Sequence, residues 1–359
     1  MKFITLSVTL ICLLSTLCSS SHSIFEEIKS NKNVIKLQEK IDSLFDPLSG
    51  NKPNPFLIDF PHKKELSLED YLYIQEKLRQ IDIEPLLKKL HRKTKNPQPI
   101  EEFIYRCSVG INQKLIDGEK NQLPLKKLEK IGNGGEYCIV SSAPYDNNRN
   151  ILLEGLVEQL HATGFNGYIY YRIGGYPNPT GKEICYAGVP YAIKIFMMME
   201  AYNLGCNKVL WLDSSIYPLK DPSFFFKLIE KFGAIFHAQA NVPANRKYIF
   251  YKTQKIIKAL TGKNPCKSRY VPAGIFGFDF SKKKCKKFLK SYLCLVKLGT
   301  PFLSCRPEEF VFTSLLAEKK FKQAKKNLGL VCKFLCYEGD GISMDEAIDN
   351  GYYFINKIH

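Results

Sequence analysis

The chain has 359 residues, 45% of them hydrophobic and 13% aromatic. That length suits one large domain or two of ordinary size, and that apolar content excludes a disordered polymer. Lys and Arg number 52 against 35 Asp and Glu, a formal charge of +17, which favours anionic partners such as nucleic acid, anionic lipid or phosphorylated small molecules. No nucleic-acid-binding motif accompanies the charge, so nucleic acid is not an expected partner.

At the start of the chain, Lys2 precedes an apolar run at residues 3–18, followed by Ser19-Ser20-Ser21-His22-Ser23. A charged start, an apolar middle and a small-residue end make an export signal. Residues 1–23 read as a cleaved signal peptide or an uncleaved signal anchor, which puts the protein outside the cell or in the secretory pathway. Membrane association through this segment follows if it is retained. Ten cysteines lie beyond it, an even number compatible with disulfides in an exported protein. Several sit in apolar runs, where buried free thiols are the alternative.

Residues 24–130 read as a helical stem or N-terminal subdomain. Residues 24–45 alternate apolar and charged positions at helical spacing, and 50–55 form a loop rich in Asn and Pro. Ser67 and Asp70 are spaced as a capping box that opens another helix. A basic linker at 93–99 leads to a helix expected over 100–116. The composition then changes at Ile131-Gly132-Asn133-Gly134-Gly135.

From 131 to 359 strands and helices alternate, which predicts an α/β domain with a mostly parallel sheet flanked by helices. Strands are expected at 137–142, 167–171, 208–212, 233–238 and 271–280. Helices are expected at 150–163, 190–204 with Pro190 at its opening, 222–231 and 307–318. Asp221 fits an N-cap before Pro222, and Met197-Met198-Met199 fit core packing. His237 reads as structural, and the basic run at 282–290 as a solvated helix face.

Ligands of open α/β sheets sit at the carboxyl ends of the strands. Here the first of these strands ends in Ser141-Ser142-Ala143-Pro144-Tyr145 and the third in Asp213-Ser214-Ser215, so these ends form the walls of the expected crevice. No glycine-rich dinucleotide fingerprint, phosphate loop or nucleophile elbow occurs. Ser141 and Ser142 are candidate nucleotide contacts, with turn residues as the alternative. Lys194, the cation of an apolar helix, is a candidate partner for a diphosphate, with snorkelling to solvent as the alternative.

The segment from Leu204-Gly205-Cys206-Asn207-Lys208-Val209-Leu210-Trp211-Leu212-Asp213-Ser214-Ser215 to Pro222-Ser223 resembles the core of GT-A-type glycosyltransferases, the nucleotide-diphospho-sugar transferase superfamily. It is most similar to the glycogenin and galactosyltransferase-like group. Val271-Pro272-Ala273-Gly274-Ile275-Phe276-Gly277 resembles that family's sugar-lining strand start, with Pro272 where the family has Asn. Glu308-Glu309-Phe310-Val311 resembles its acidic helix start near the acceptor. The resemblance covers about 200 of the 359 residues.

The resemblance implies transfer of a hexose from a nucleotide diphosphate sugar, most simply UDP-linked, to a hydroxyl of a carbohydrate or protein acceptor. Asp213, Ala273 and Gly274 would line the nucleotide-sugar site with Ser141, Ser142 and Lys194. Glu308 or Glu309 would activate the acceptor or position a sugar. The family's Asp-x-Asp motif holds Mn²⁺ or Mg²⁺, which neutralises the departing diphosphate. This chain has Asp213 and Ser215 at those two positions, and a neutral hydroxyl is a weak ligand for a hard ion. The family's third ligand lies near the C-terminus, where Glu338, Asp340 and His359 are the candidates. The altered motif also admits a catalytically silent GT-A-like protein that binds a nucleotide or sugar.

Overall fold

The computed structural model describes residues 56–92, 98–111, 122–239, 244–318, 321, 323–330 and 332–357. The signal or anchor, the helix at 24–45, the loop at 50–55, most of the linker at 93–99 and His359 lie outside these residues. Among the described residues no helix is long and apolar enough to cross a membrane.

The chain opens with three helices, α1 (Leu68–Arg79), α2 (Glu84–Arg92) and α3 (Ile100–Gly110). The capping box at the start of α1 is formed: Ser67 accepts from the Asp70 backbone, and the Asp70 carboxylate accepts from the Ser67 backbone. The described part of the helix expected to reach residue 116 ends at Gly110. There follow β1 (Leu125–Ile131), β2 (Tyr137–Ala143), α4 (Asn147–Ala162), β3 (Gly167–Ile173) and α5 (Ile193–Asn203). Then come β4 (Lys208–Leu212), β5 (Ile216–Pro218), α6 (Ser223–Phe232), β6 (Ala234–His237) and α7 (Tyr251–Thr261). The last elements are β7 (Ile275–Asp279), α8 (Lys283–Leu298), α9 (Pro307–Leu315), β8 (Lys325–Lys326), β9 (Leu335–Tyr337), α10 (Met344–Asp349) and β10 (Phe354–Asn356).

Seven strands form one sheet in the order β1-β3-β2-β4-β7-β6-β8. Strands β3, β2 and β4 run parallel, as do β6 and β8, while β1 and β7 are antiparallel to their neighbours. This is the expected mostly parallel α/β sheet. Because successive side chains point to opposite faces, β2 divides its residues between two cores. Cys138 and Val140 pack under α5, whereas Ile139 and Ala143 pack under α4 and α6. Strand β7 is buried at every position, as its apolar sequence and central place require.

Strand β1 was not expected. Its sequence, LKKLEKI, alternates without a buried face and is exposed along most of its length. Only its antiparallel register with β3, from Leu125↔Ile173 to Ile131↔Gly167, makes it a strand. The sheet therefore begins six residues before the composition change at 131. The N-terminal helices are packed into the same core as the sheet: Phe56, Ile74, Leu87 and Phe103 are fully buried in one cluster with Phe196, Trp211 and Phe276.

The expected helix start at Pro190 moves to Ile193. Tyr191 takes a left-handed φ of 58°, and its N–H donates to Gly110 O at 2.5 Å. That conformation cannot continue a helix. A small second sheet, β5-β10-β9, closes the C-terminus over the end of β4. Phe225 on α6 meets Phe334, Tyr353 and Phe354 and holds that sheet in place. The ten cysteines from Cys107 to Cys336 are free thiols, seven of them buried and Cys185, Cys294 and Cys332 half-buried.

Close packing between α6 and the centre of the sheet depends on Gly277. A Cβ there would lie 2.3 Å from Ile229 Cδ1 and 2.9 Å from Val209 O. Gly277→Ala should cost about 1–3 kcal/mol, the usual penalty for overpacking a core. Urea unfolding should show a lower midpoint at unchanged slope, and an unchanged midpoint would show that α6 yields freely.

Candidate active site

Four chain segments converge at the carboxyl end of β4. Asp213 follows Leu212, and its backbone N–H donates to Gly274 O at 3.0 Å, extending the β4–β7 pairing by one step. Trp211 lies two residues earlier on the same strand face, so its indole Nε1 reaches Asp213 Oδ1 at 2.7 Å. Gly274 leaves room for the carboxylate: a Cβ there would stand 3.4 Å from Asp213 Oδ2 and 2.9 Å from Ile216 Cδ1.

Lys194, in the first turn of α5, points into this junction. Its Nζ lies 2.9 Å from Asp213 Oδ1, 3.1 Å from Glu308 Oε1 and 3.0 Å from Ala273 O. The side chains of Lys194 and Glu308 are 10% and 7% exposed, against 37% for Asp213, so Asp213 is the member that faces solvent. Burial works against the ammonium, yet Asp213 and Glu308 hold its pKa above the ordinary lysine range. Lys194 is thus a paired cation and does not snorkel.

Helix α9 supplies the acids. Glu309 accepts from the Ala273 backbone N–H at 3.3 Å and from the Tyr270 hydroxyl. Arg306 Nη1 donates to the same Tyr270 hydroxyl at 2.6 Å, and its guanidinium lies over the Tyr248 and Tyr270 rings. Burial raises Glu308 above the ordinary glutamate range, with Lys194 opposing. Burial, helped by the charge of Asp213 and opposed by Lys194, raises Glu309 from 4.5 to about 7.

The structure therefore brings together Lys194, Asp213, Ala273, Gly274, Glu308 and Glu309. It keeps Ser141 apart: this side chain is fully buried and its hydroxyl has no hydrogen-bond partner. Ser142 is half-buried and stands opposite Arg172 in the β2–β3 register. Ser215 is 3% exposed, and its carbonyl accepts from Lys357 N at 2.8 Å. Among the described residues no three His, Cys, Asp or Glu side chains converge as a metal-binding group. Glu338 pairs with the Lys357 ammonium, and Asp340 is exposed. Among the described residues this donor set fits Mn²⁺ or Mg²⁺ poorly, since Asp213 is already paired with a buried ammonium and Ser215 offers a neutral oxygen.

Trp211, Tyr270 and Arg306 also belong to the site, and the sequence reading did not include them. Trp211 was within reach of that reading, because strand period places it on the face of Asp213. Tyr270 and Arg306 carry no such signal, since they meet Glu309 only through the fold. His237 is structural as expected: it packs on Phe334, and burial lowers its pKa to about 4. Asp221 Oδ1 accepts from Ser223 N at 2.9 Å, but the helix opens at Ser223 with Pro222 at its N-cap, one residue later than the sequence places it.

No family model matches the chain, and no curated protein matches it. Among solved structures it is similar to the apo structure of the WbbM bifunctional glycosyltransferase, at 12% identity and a TM-score of 0.37. That likeness covers 64% of this chain and 46% of the other, so the chain spans less than half the length of the protein it resembles.

The raised Glu309 carboxyl has a measurable consequence. Between pH 4.5 and about 7 the folded protein keeps the Glu309 proton while the unfolded chain releases it. Stability contributed at this position therefore falls as pH rises across that window. Glu309→Gln cannot ionise. The wild-type unfolding free energy minus that of the variant should decline across the same window and level off above it, as read by denaturant titration at stepped pH. A flat difference would show that Glu309 titrates normally.

Proposed function

We propose that the protein is a glycosyltransferase that moves a hexose from a nucleotide diphosphate sugar to a hydroxyl acceptor. The observation that carries this reading is the convergence of Asp213, Lys194 and Glu309 at the carboxyl end of β4, where an open α/β sheet binds its ligands. An exposed carboxylate at a rigid strand end suits the hydroxyls of a ribose or sugar. Ala273 and Gly274 offer close backbone approach to a sugar ring. Arg306, with its side chain 43% exposed beside Glu309, gives the mouth of the site a positive charge for an anionic donor.

The residues divide the reaction in a simple way. The acceptor oxygen forms a bond to the sugar's anomeric carbon as the bond from that carbon to the diphosphate oxygen breaks. The electron pair of the broken bond leaves with the diphosphate, and the acceptor proton passes to a carboxylate. A carboxyl held near neutrality suits that proton transfer at working pH, and Glu309 is such a group. Tyr270 and the Ala273 backbone fix its two oxygens in place. The Arg306–Tyr270 contact orients it from behind.

The test is UDP release from UDP-glucose and UDP-galactose by the full chain, beside Asp213→Ala and Glu309→Gln. Release that Asp213→Ala abolishes is the expected result. Glu309→Gln should lower kcat by about 10²–10⁴, the usual worth of a positioned general base, while leaving UDP binding intact. UDP binding that needs Asp213, with no release from either sugar, would favour the silent binder that Ser215 suggests. Absence of both release and binding would remove the reading.

A further inference from the structure

We propose that this site takes a nucleoside diphosphate without a divalent ion, with Lys194 holding the place beside Asp213 that such an ion would take and Lys357 as the cation reachable from solvent. The proposal rests on the donor-site reading above and concerns how that site meets the charge of its ligand. An ammonium has three donor hydrogens, and Lys194 uses them on Asp213, Glu308 and Ala273 O at 2.9, 3.1 and 3.0 Å. Asp213 Oδ1 receives the Trp211 indole N–H as well. A divalent ion at Asp213 would share that carboxylate with a buried ammonium already seated on it. Repulsion between like charges is strong at that range and weakly screened when buried.

The other side of the site has the same design. Ser215 replaces a carboxylate with a buried, neutral side chain. Lys357, one residue beyond β10, donates its backbone N–H to Ser215 O at 2.8 Å. Its ammonium pairs with Glu338, one of the C-terminal carboxylates considered as a third ligand. Glu338 and Lys357 are 28% and 23% exposed, so this second cation is reachable from solvent. Asp213 and Glu338 are therefore each paired with a lysine. Among the described residues, the strand end then offers a hard ion the second oxygen of Asp213 and a buried neutral hydroxyl, less than the one or two unpaired carboxylates that hold such an ion to a phosphate.

The experiment is calorimetric titration of the full chain with UDP, once in EDTA and once in saturating Mn²⁺. In parallel, the spin-resonance signal of free Mn²⁺ is followed as protein is added. UDP should bind in EDTA, with the two dissociation constants agreeing within about tenfold, which is about 1.4 kcal/mol. The free Mn²⁺ signal should persist at protein excess. Lys357→Met, a change at a partly exposed position, should weaken UDP binding in EDTA. Binding only in Mn²⁺, or Mn²⁺ taken up by the protein alone, would overturn the proposal and leave the donor-site reading standing. Unchanged affinity of Lys357→Met would overturn the part assigned to Lys357. No UDP binding in either condition would overturn both the proposal and the reading beneath it.

Discussion

The ammonium of Lys194 is the point on which the site depends. A buried charge is stable only where partners replace the water it has lost. Lys194 finds them on three separate elements: Asp213 at the end of β4, Ala273 just before β7, and Glu308 at the start of α9. None of the three is close to it in sequence. Each contact holds only while the sheet, α5 and α9 are packed in one arrangement. Removing the lysine would leave Asp213 and Glu308 facing each other without compensation, a change that breaks buried ion pairs at large cost.

The same junction separates two glutamates that adjoin in sequence. Glu308 turns inward to Lys194 and serves the ion pair. Glu309 turns toward Tyr270 and the Ala273 backbone, and its partners there include neutral donors. Its proton affinity is therefore set by lost solvation, with the lysine only moderating it. Two identical side chains thus acquire different chemistry from a helix turn of about 100° between consecutive residues.

Much of the sheet was legible because its central strands are continuous apolar runs. Lys208–Leu212 and Ile275–Asp279 sit at or near their expected limits, and Asp213 lies where a strand-end ligand should. The edges were not legible. Leu125–Ile131 carries no strand pattern, and β5, β8, β9 and β10 are two or three residues long, too short to show a period. Of the site residues, Lys194 and the two glutamates were marked by charge in apolar or helix-start settings. Ser141 was marked by position alone, yet at that position the side chain faces the core. The partners of Glu309 were invisible, since Tyr270 is 39 residues away in the chain.

The Tyr191–Gly110 contact bears on how this chain can change through descent. Tyr191 holds a backbone conformation that costs a non-glycine residue about 1–3 kcal/mol unless its surroundings enforce it. Here α3 enforces it, through Gly110 O and the absence of a Cβ, which would lie 2.4 Å from the tyrosine ring. Three residues later stands Lys194. The helices before the sheet and the lysine within the site are thus tied by one turn of backbone. Recombination that exchanged the leading helices for another segment would disturb the ion pair at Asp213. The two parts are accordingly expected to be inherited together, and a shuffled descendant would have to re-solve that turn before it regained its site.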